Sequence, residues 1–222
     1  MSLRKGLVAH YTMSQDSLKG SLLGDKTPYE NDGTIYGATF TTDRMGQPNK
    51  AMSFDGVDDY IRIADSASFA GGSTMSVYTW VKASEQTEKT IVGSYEYTLN
   101  KRSFRIQTDA SGIVKAQISD DGRRILNASS TVSVLDDKWH LIGFTFNAGV
   151  LKLYVDGVEN KSGTSATITS IYDSDSAVTI GCSLSSDSPA TIFTGLIGET
   201  RIYNRALSQE EIKLLYESYN PN

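Results

Sequence analysis

A chain of 222 residues, 39% of them apolar and with a net charge of −5, is long enough to bury the core of one large domain. That balance leaves no electrostatic footprint for nucleic acid or an anionic membrane, and no run approaches the ~20 apolar residues of a membrane span. The single cysteine, Cys182, excludes an internal disulfide, and nineteen glycines against four prolines point to many tight turns.

Taken in chain order, the first residues lack the roughly 7–15-residue apolar stretch of a signal peptide, so none is expected there. Residues 7–13 read as a first strand. A polar loop follows over residues 14–33, rich in Asp16, Asp25, Glu30, Asn31 and Asp32. Residues 51–54 run as a strand into Asp55-Gly56, and 60–63 leave the far side of that turn. Residues 74–82 are β-rich and carry Trp80. Residues 90–97, 103–108 and 114–119 read as three successive strands with glycine or polar turns between them. Residues 140–146 turn at Asn147-Ala148-Gly149 into 151–155. Asp156-Gly157 then forms the dipeptide favoured at a type I′ turn, where both central residues need φ > 0.

The closing run, 196–204, leads through Arg205-Ala206-Leu207 into one short amphipathic helix. Ser208 is placed as its N-cap, Glu211 completes a capping box, and Leu207 can staple onto Ile212. Ile212, Leu215, Tyr216 and Tyr219 recur at i, i+3, i+4 and i+7, giving one apolar face. No repeat and no low-complexity linker interrupts the chain, so one domain over 1–222 is expected. Strands spaced by 8–15 residues without intervening helices are the pattern of an all-β antiparallel sandwich or jelly roll.

The chemistry-bearing residues are sparse. His10 and His140 both lie within expected strands and are read as satisfied strand residues, since no cysteine cluster or helical His pair accompanies them. Asp55, Asp58 and Asp59 form an acidic trio that turn chemistry explains, without EF-hand spacing. Glu85-Gln86-Thr87-Glu88 and Glu210-Glu211 have the wrong spacing, or sit on a helix, for two facing glycosidase carboxylates. Ser119-Asp120-Asp121-Gly122 lacks the aromatic of an Asp-box. There is no Gly-x-Ser-x-Gly elbow and no phosphate loop, so catalysis is not expected. Trp80 and Trp139 are expected in the core. Tyr95 and Tyr97 flank Glu96 and would project from one sheet face, with Arg102 and Arg105 on the next strand or turn. These four are the candidate ligand-binding residues read from the strands.

Four segments are similar to one family. Gly6-Leu7-Val8-Ala9-His10-Tyr11 resembles its opening strand. Phe54-Asp55-Gly56-Val57-Asp58-Asp59-Tyr60-Ile61 resembles its FDG-x-DDYI turn. Residues 139–157 resemble its central hairpin, and 195–208 its closing strand and helix start. The chain thus resembles the laminin-G-like branch of the concanavalin A-like lectin/glucanase superfamily, an antiparallel jelly-roll β-sandwich, here with a short C-terminal helix. The resemblance implies that first and last strands pair, bringing Tyr11 near Ile202 or its neighbours.

It also implies a structural Ca²⁺ as the one cofactor, held where the polar loop meets the closing strand. Asp25, Asn31, the Gly33 carbonyl and Glu199 would be the ligands. Two departures weigh against it: the loop lacks the usual glycines, and Gly198 stands where an aspartate is frequent. Relatives meet ligands near the loop before the closing strand, here 183–189, which adds Asp187 to the candidate site. The expected function is a non-catalytic recognition or adhesion module for glycan or protein, with no nucleic-acid partner and no membrane insertion. The alternative is a structural phage virion protein, a head decoration or tail component with capsid or tail partners, since relatives opening on this motif are commonly phage-borne. Either role implies an extracellular or virion-surface location. A glycoside hydrolase ranks last, because one scaffold carries unrelated activities and the carboxylate run is missing.

Overall fold

The computed structural model describes residues 2–84 and 88–218. Glu85, Gln86 and Thr87, and Tyr219 on the expected helix face, lie outside the described residues. Two antiparallel sheets stack with one apolar interior between them. The first runs, in spatial order, through Val158–Thr164, Val150–Val155, Trp139–Asn147, Thr74–Lys82, Thr194–Tyr203, Ala51–Asp55 and Thr39–Thr41, with Leu7–Tyr11 also paired to Thr194–Tyr203. The second runs through Leu126–Ser133, Ile113–Ile118, Lys101–Thr108, Lys89–Glu96, Val178–Ile180, Tyr60–Ile63, Gly33–Tyr36, Leu22–Leu23 and Leu18–Lys19. Alternation puts Val77, Val81, Phe144, Phe146 and Ile197 of the first sheet against Val92, Phe104, Ile106, Val114 and Ile180 of the second. Asp55-Gly56 is therefore a crossing between sheets, joining Ala51–Asp55 in one to Tyr60–Ile63 in the other.

The ends of the chain zip together as expected. Tyr11 pairs with Thr200, His10 with Arg201 and Ala9 with Ile202. The central hairpin turns through Ala148 and Gly149, and Asp156 (φ 52°) and Gly157 (φ 79°) form the type I′ link to Val158–Thr164. The helix Gln209–Glu217 starts with the full capping box of Ser208 and Glu211. Its apolar side lies on the outer face of the first sheet, where Ile212 and Leu215 meet Tyr78, Trp80, Leu141, Tyr154, Tyr203 and Leu207.

This second cluster is the core that the tryptophans join. Trp80 is buried and stacks on Tyr216 (5.7 Å between centroids), while Trp139 is only partly buried beside it; both lie under the helix and not between the sheets. The reason is parity: Val77 and Val81 point inward, which turns Tyr78 and Trp80 outward. Two loops are also more structured than expected. The 14–33 segment contains a 3₁₀ turn, Gln15–Ser17, and the short strands Leu18–Lys19 and Leu22–Leu23. Residues 183–189 are not a free loop but a hairpin, Ser183–Ser185 with Ser188–Ala190, whose Leu184 packs with Cys182 and Ala177. Cys182 is a free buried thiol, and burial pushes it up to about 12, which leaves it unreactive.

Candidate ligand-binding surfaces

The expected Tyr–Arg cluster forms on the outer face of the second sheet, closed around Arg105 and half-buried at Tyr97 and Arg102, whose Nε has no hydrogen-bond partner among the described residues. Phe104 and Ile106 point into the core, so Arg105 points out. Its strand neighbour across the ladder is Gly93, where a Cβ would stand 3.0 Å from the Arg105 Cα; the missing side chain gives the arginine room. The Arg105 guanidinium lies 4.0 Å from the Tyr95 ring centroid and 5.1 Å from that of Tyr97, and the two tyrosines meet edge to face at 5.1 Å. Nε and Nη2 donate to Gln117 Oε1 at 2.8 and 2.5 Å, and Nη1 donates to the Tyr97 hydroxyl. Tyr95 is 4% and Arg105 3% exposed. Burial raises the Tyr95 hydroxyl pKa, partly countered by Arg105. Arg102 and Tyr97, half-buried, form the rim, with Arg102 Nη2 donating to the Tyr97 carbonyl at 3.1 Å.

Asp187 belongs to a neighbouring cluster. Ser186 and Asp187, both at positive φ (49° and 62°), make the tip of the 183–190 hairpin. Glu96, 2% exposed between the two tyrosines, holds that tip: its carboxylate accepts from Ser186 N–H (3.0 Å), Asp187 N–H (2.9 Å), and Thr98 N–H and hydroxyl (2.8 and 2.7 Å). Burial works to raise its pKa, and these donors outweigh it and bring it below the ordinary value. The Asp187 side chain pairs with Arg62 at 2.7 Å, next to a parallel stack of Tyr36 on Tyr60 (4.5 Å, 6°). Sequence reading missed Glu96 and Arg62; a carboxylate alternating with two tyrosines in a β-rich run was the available signal.

The four residues implied as calcium ligands are engaged from within. Asp25 is 3% exposed, and its carboxylate accepts from the backbone N–H groups of His10, Thr27 and Asn31 and from the Thr27 hydroxyl, at 2.6–3.1 Å. The Asn31 carbonyl accepts from Tyr11 OH at 2.5 Å, and its amide donates to the Val8 carbonyl and Ser68. Gly33 lies in a strand, paired with Ile63 and Leu23. A bulge between Ile197 and Thr200 sets Glu199 beside Arg201, whose Nε and Nη2 reach it at 3.0 and 2.7 Å, and the His10 ring bonds the same carboxylate. Burial would raise the Glu199 carboxyl, but His10 and Arg201 hold it at about 2. An aspartate at 198 would put its Cβ 3.1 Å from that of Trp80. Ca²⁺ needs six to eight open oxygens, and this donor-filled set does not fit it.

The remaining candidates are structural. Asp55 accepts from Val57 and Asp58 N–H, and Asp59 accepts from Asp55 N–H, which is turn chemistry. His140 sits between Asp156 and Asp136, and His10 bonds Glu199, so both histidines are satisfied. Two grooves flank the opening strand. One, of about 650 Å³, mixes Lys26, Lys50 and Arg44 with Asp16, Asp43 and Glu199. The other, of about 910 Å³, is lined by Arg4, His10, Lys26 and Arg201 over Leu3, Leu7 and Pro28.

The Laminin_G_3 family model, described as concanavalin A-like lectin/glucanases superfamily, matches residues 55–213. A search of curated protein sequences finds no significant match. Among solved structures, the binding domain of Paraclostridial Mosquitocidal Protein 1 is similar at a TM-score of 0.77 and 15% identity, over 98% of this chain and 53% of that one. The ligand-binding domain of botulinum neurotoxin serotype D, in complex with N-acetylneuraminic acid, gives 0.75 and 17%, over 97% and 52%. This chain therefore spans about half the length of those two. Domain 4 of AbnA, a GH43 extracellular arabinanase from Geobacillus stearothermophilus, in complex with arabinotriose, gives 0.71 and 23%, over 95% of this chain and 98% of that one. At these identities the likeness is one of fold.

Proposed function

Since the chain belongs to the concanavalin A-like lectin/glucanases superfamily, on whose scaffold unrelated activities sit, we propose that it is a non-catalytic module that binds saccharide through the open surfaces of a rigid sandwich. The observation that carries this reading is the end-to-end similarity to arabinanase domain 4, a domain of the same size seen with an oligosaccharide. The chain's carboxylates support the non-catalytic half. Glycoside hydrolysis needs a protonated acid facing a second carboxylate across the sugar. Glu96 and Glu199 are both held below their ordinary range by donors, and Asp59, which burial pushes up, lines neither groove. The work of such a module is outside the cell or on a virion surface.

Calorimetric titration of the whole chain with a panel of neutral and acidic oligosaccharides tests the reading, with reducing-end release followed in parallel. Saturable binding without release is expected. Turnover of any saccharide defeats the non-catalytic half. Saturable attachment to phage capsids or tails, with no saccharide bound, replaces the reading with a structural virion role.

A further inference from the structure

The larger groove collects cations on a chain whose net charge is −5. It measures about 910 Å³, within the range of small-ligand sites, and no carboxylate is among its described lining residues. Arg4 and Lys26, both exposed, have no ion-pair partner among the described residues, whereas most of the chain's other lysines and arginines have a carboxylate within 4.0 Å. Arg201 is neutralised by Glu199, which lies behind the groove wall, and His10 bonds the same carboxylate, so both are fixed in place. The backbone that presents Lys26 is also fixed: its N–H donates to the His10 carbonyl at 3.0 Å, and Asp25 ties down the loop on either side. Leu3, Leu7 and Pro28 add an apolar wall. Neither cation is tied up in an ion pair among the described residues, so both are available to an anionic ligand.

We infer that this groove binds a saccharide bearing a carboxylate, a uronate or a sialate. Arg4 and Lys26 receive the carboxylate, and the C–H face of the ring lies on Leu3, Leu7 and Pro28. Arg4 offers a planar fork matched to two carboxylate oxygens, and Lys26 a mobile point charge. This inference rests on the saccharide-binding reading above and names its ligand class and its place.

The test titrates the whole chain with trigalacturonate, sialyllactose, arabinotriose and lactose, and repeats each titration on the Arg4→Glu/Lys26→Glu double variant. Both positions are exposed, and an unchanged melting curve for the variant confirms that it folds. Expected is binding of at least one acidic probe that weakens with added salt and falls by about tenfold or more in the variant. The identity of the probe that binds separates uronate from sialate. Equal binding of acidic probes by wild type and variant overturns the groove assignment, as does binding of neutral probes alone, and both leave the saccharide-binding reading standing. Failure of all four probes, acidic and neutral, overturns the inference together with the reading beneath it.

Discussion

The outer face of the second sheet and the groove beside the opening strand use the same residue types to opposite ends. At the sheet face, Arg105 is 3% exposed, and each of its three guanidinium nitrogens donates to a side chain, Gln117 or Tyr97, while its plane rests on Tyr95. At the groove, Arg4 and Lys26 stand in solvent and make no ion pair among the described residues. Arg105 has spent its hydrogen-bonding capacity within the fold, although the Arg102 Nε at its rim is left without a partner among the described residues; the groove cations have kept theirs. An aromatic–arginine pattern in a sequence therefore does not mark a binding site until its donors have been counted, because closed clusters hold folds together and open ones are left for partners.

The sharpest test of the closed region is Arg105→Ala. It strips the partner from the Tyr97 hydroxyl and from Gln117 Oε1 and removes a buried alkyl stem, so a loss of about 3 kcal/mol is expected from urea unfolding. Arg105→Lys should recover only a minor part, since one ammonium cannot replace a fork stacked on two rings. A cost under about 0.5 kcal/mol for Arg105→Ala would mean that the cluster is open after all. Asp25→Ala belongs to the same class. Three backbone N–H groups and a hydroxyl lose their acceptor, and a loss of about 2–3 kcal/mol is expected. Melting of the wild type in Ca²⁺ and in chelator should coincide. A rise of about 2.7 kcal/mol at a hundredfold excess over Kd would show a metal displacing these donors.

Much of this arrangement was legible in the chain. The type I′ link at Asp156-Gly157, the capping box at Ser208 and Glu211, and the pairing of first with last strands all follow from local signals or from the family motif. Strand parity likewise puts Tyr95 and Tyr97 on one face with Arg105, whereas Arg102, three residues from Arg105, joins them only through a bulge between Arg102 and Phe104. What escaped depends on long-range partners. The strand Leu126–Ser133 is mostly small and polar and gains its place from Ile113–Ile118, not from its own pattern. Trp80 is buried as expected, but that it is buried under the helix and not between the sheets depends on the element that covers the outer face. Asp25 looked like a metal ligand because a carboxylate in a polar loop gives no sign of which donors will fill it. The groove joins Arg4, Lys26 and Arg201 from three distant stretches, and no window of sequence contains it.

Between the closed and open extremes stands His140, 15% exposed at its side chain and bonded at both ring nitrogens, to Asp156 at 2.8 Å and Asp136 at 2.9 Å. Both bonds donate only from the imidazolium. Hydrogen bonding to Asp156, and then to Asp136, raises the His140 pKa, while His140 holds Asp136 at about 2. A raised histidine pKa contributes stability that is complete below the unfolded value near 6.5 and is lost as pH rises through the folded value. The depressed Asp136 contributes above 3.8 and loses its share as pH falls toward 2. Asp136 is substantially exposed, so solvent screens the pair, and His140→Gln is expected to cost about 1 kcal/mol at neutral pH. The variant should flatten the decline in stability on the alkaline side. An unchanged alkaline limb would show that the two carboxylates do not govern the ring.

The smallest effect is the most informative about the open region. Arg4→Glu/Lys26→Glu removes no side-chain hydrogen bond and breaks no ion pair among the described residues. Its unfolding free energy should therefore stay within about 0.5 kcal/mol of wild type, with the difference shrinking in added salt. Residues shaped by folding lose stability when replaced, and residues shaped by a ligand lose binding instead. A large destabilisation in this variant would move Arg4 and Lys26 into the class of Arg105. The groove would then be another closed surface whose partners had been overlooked.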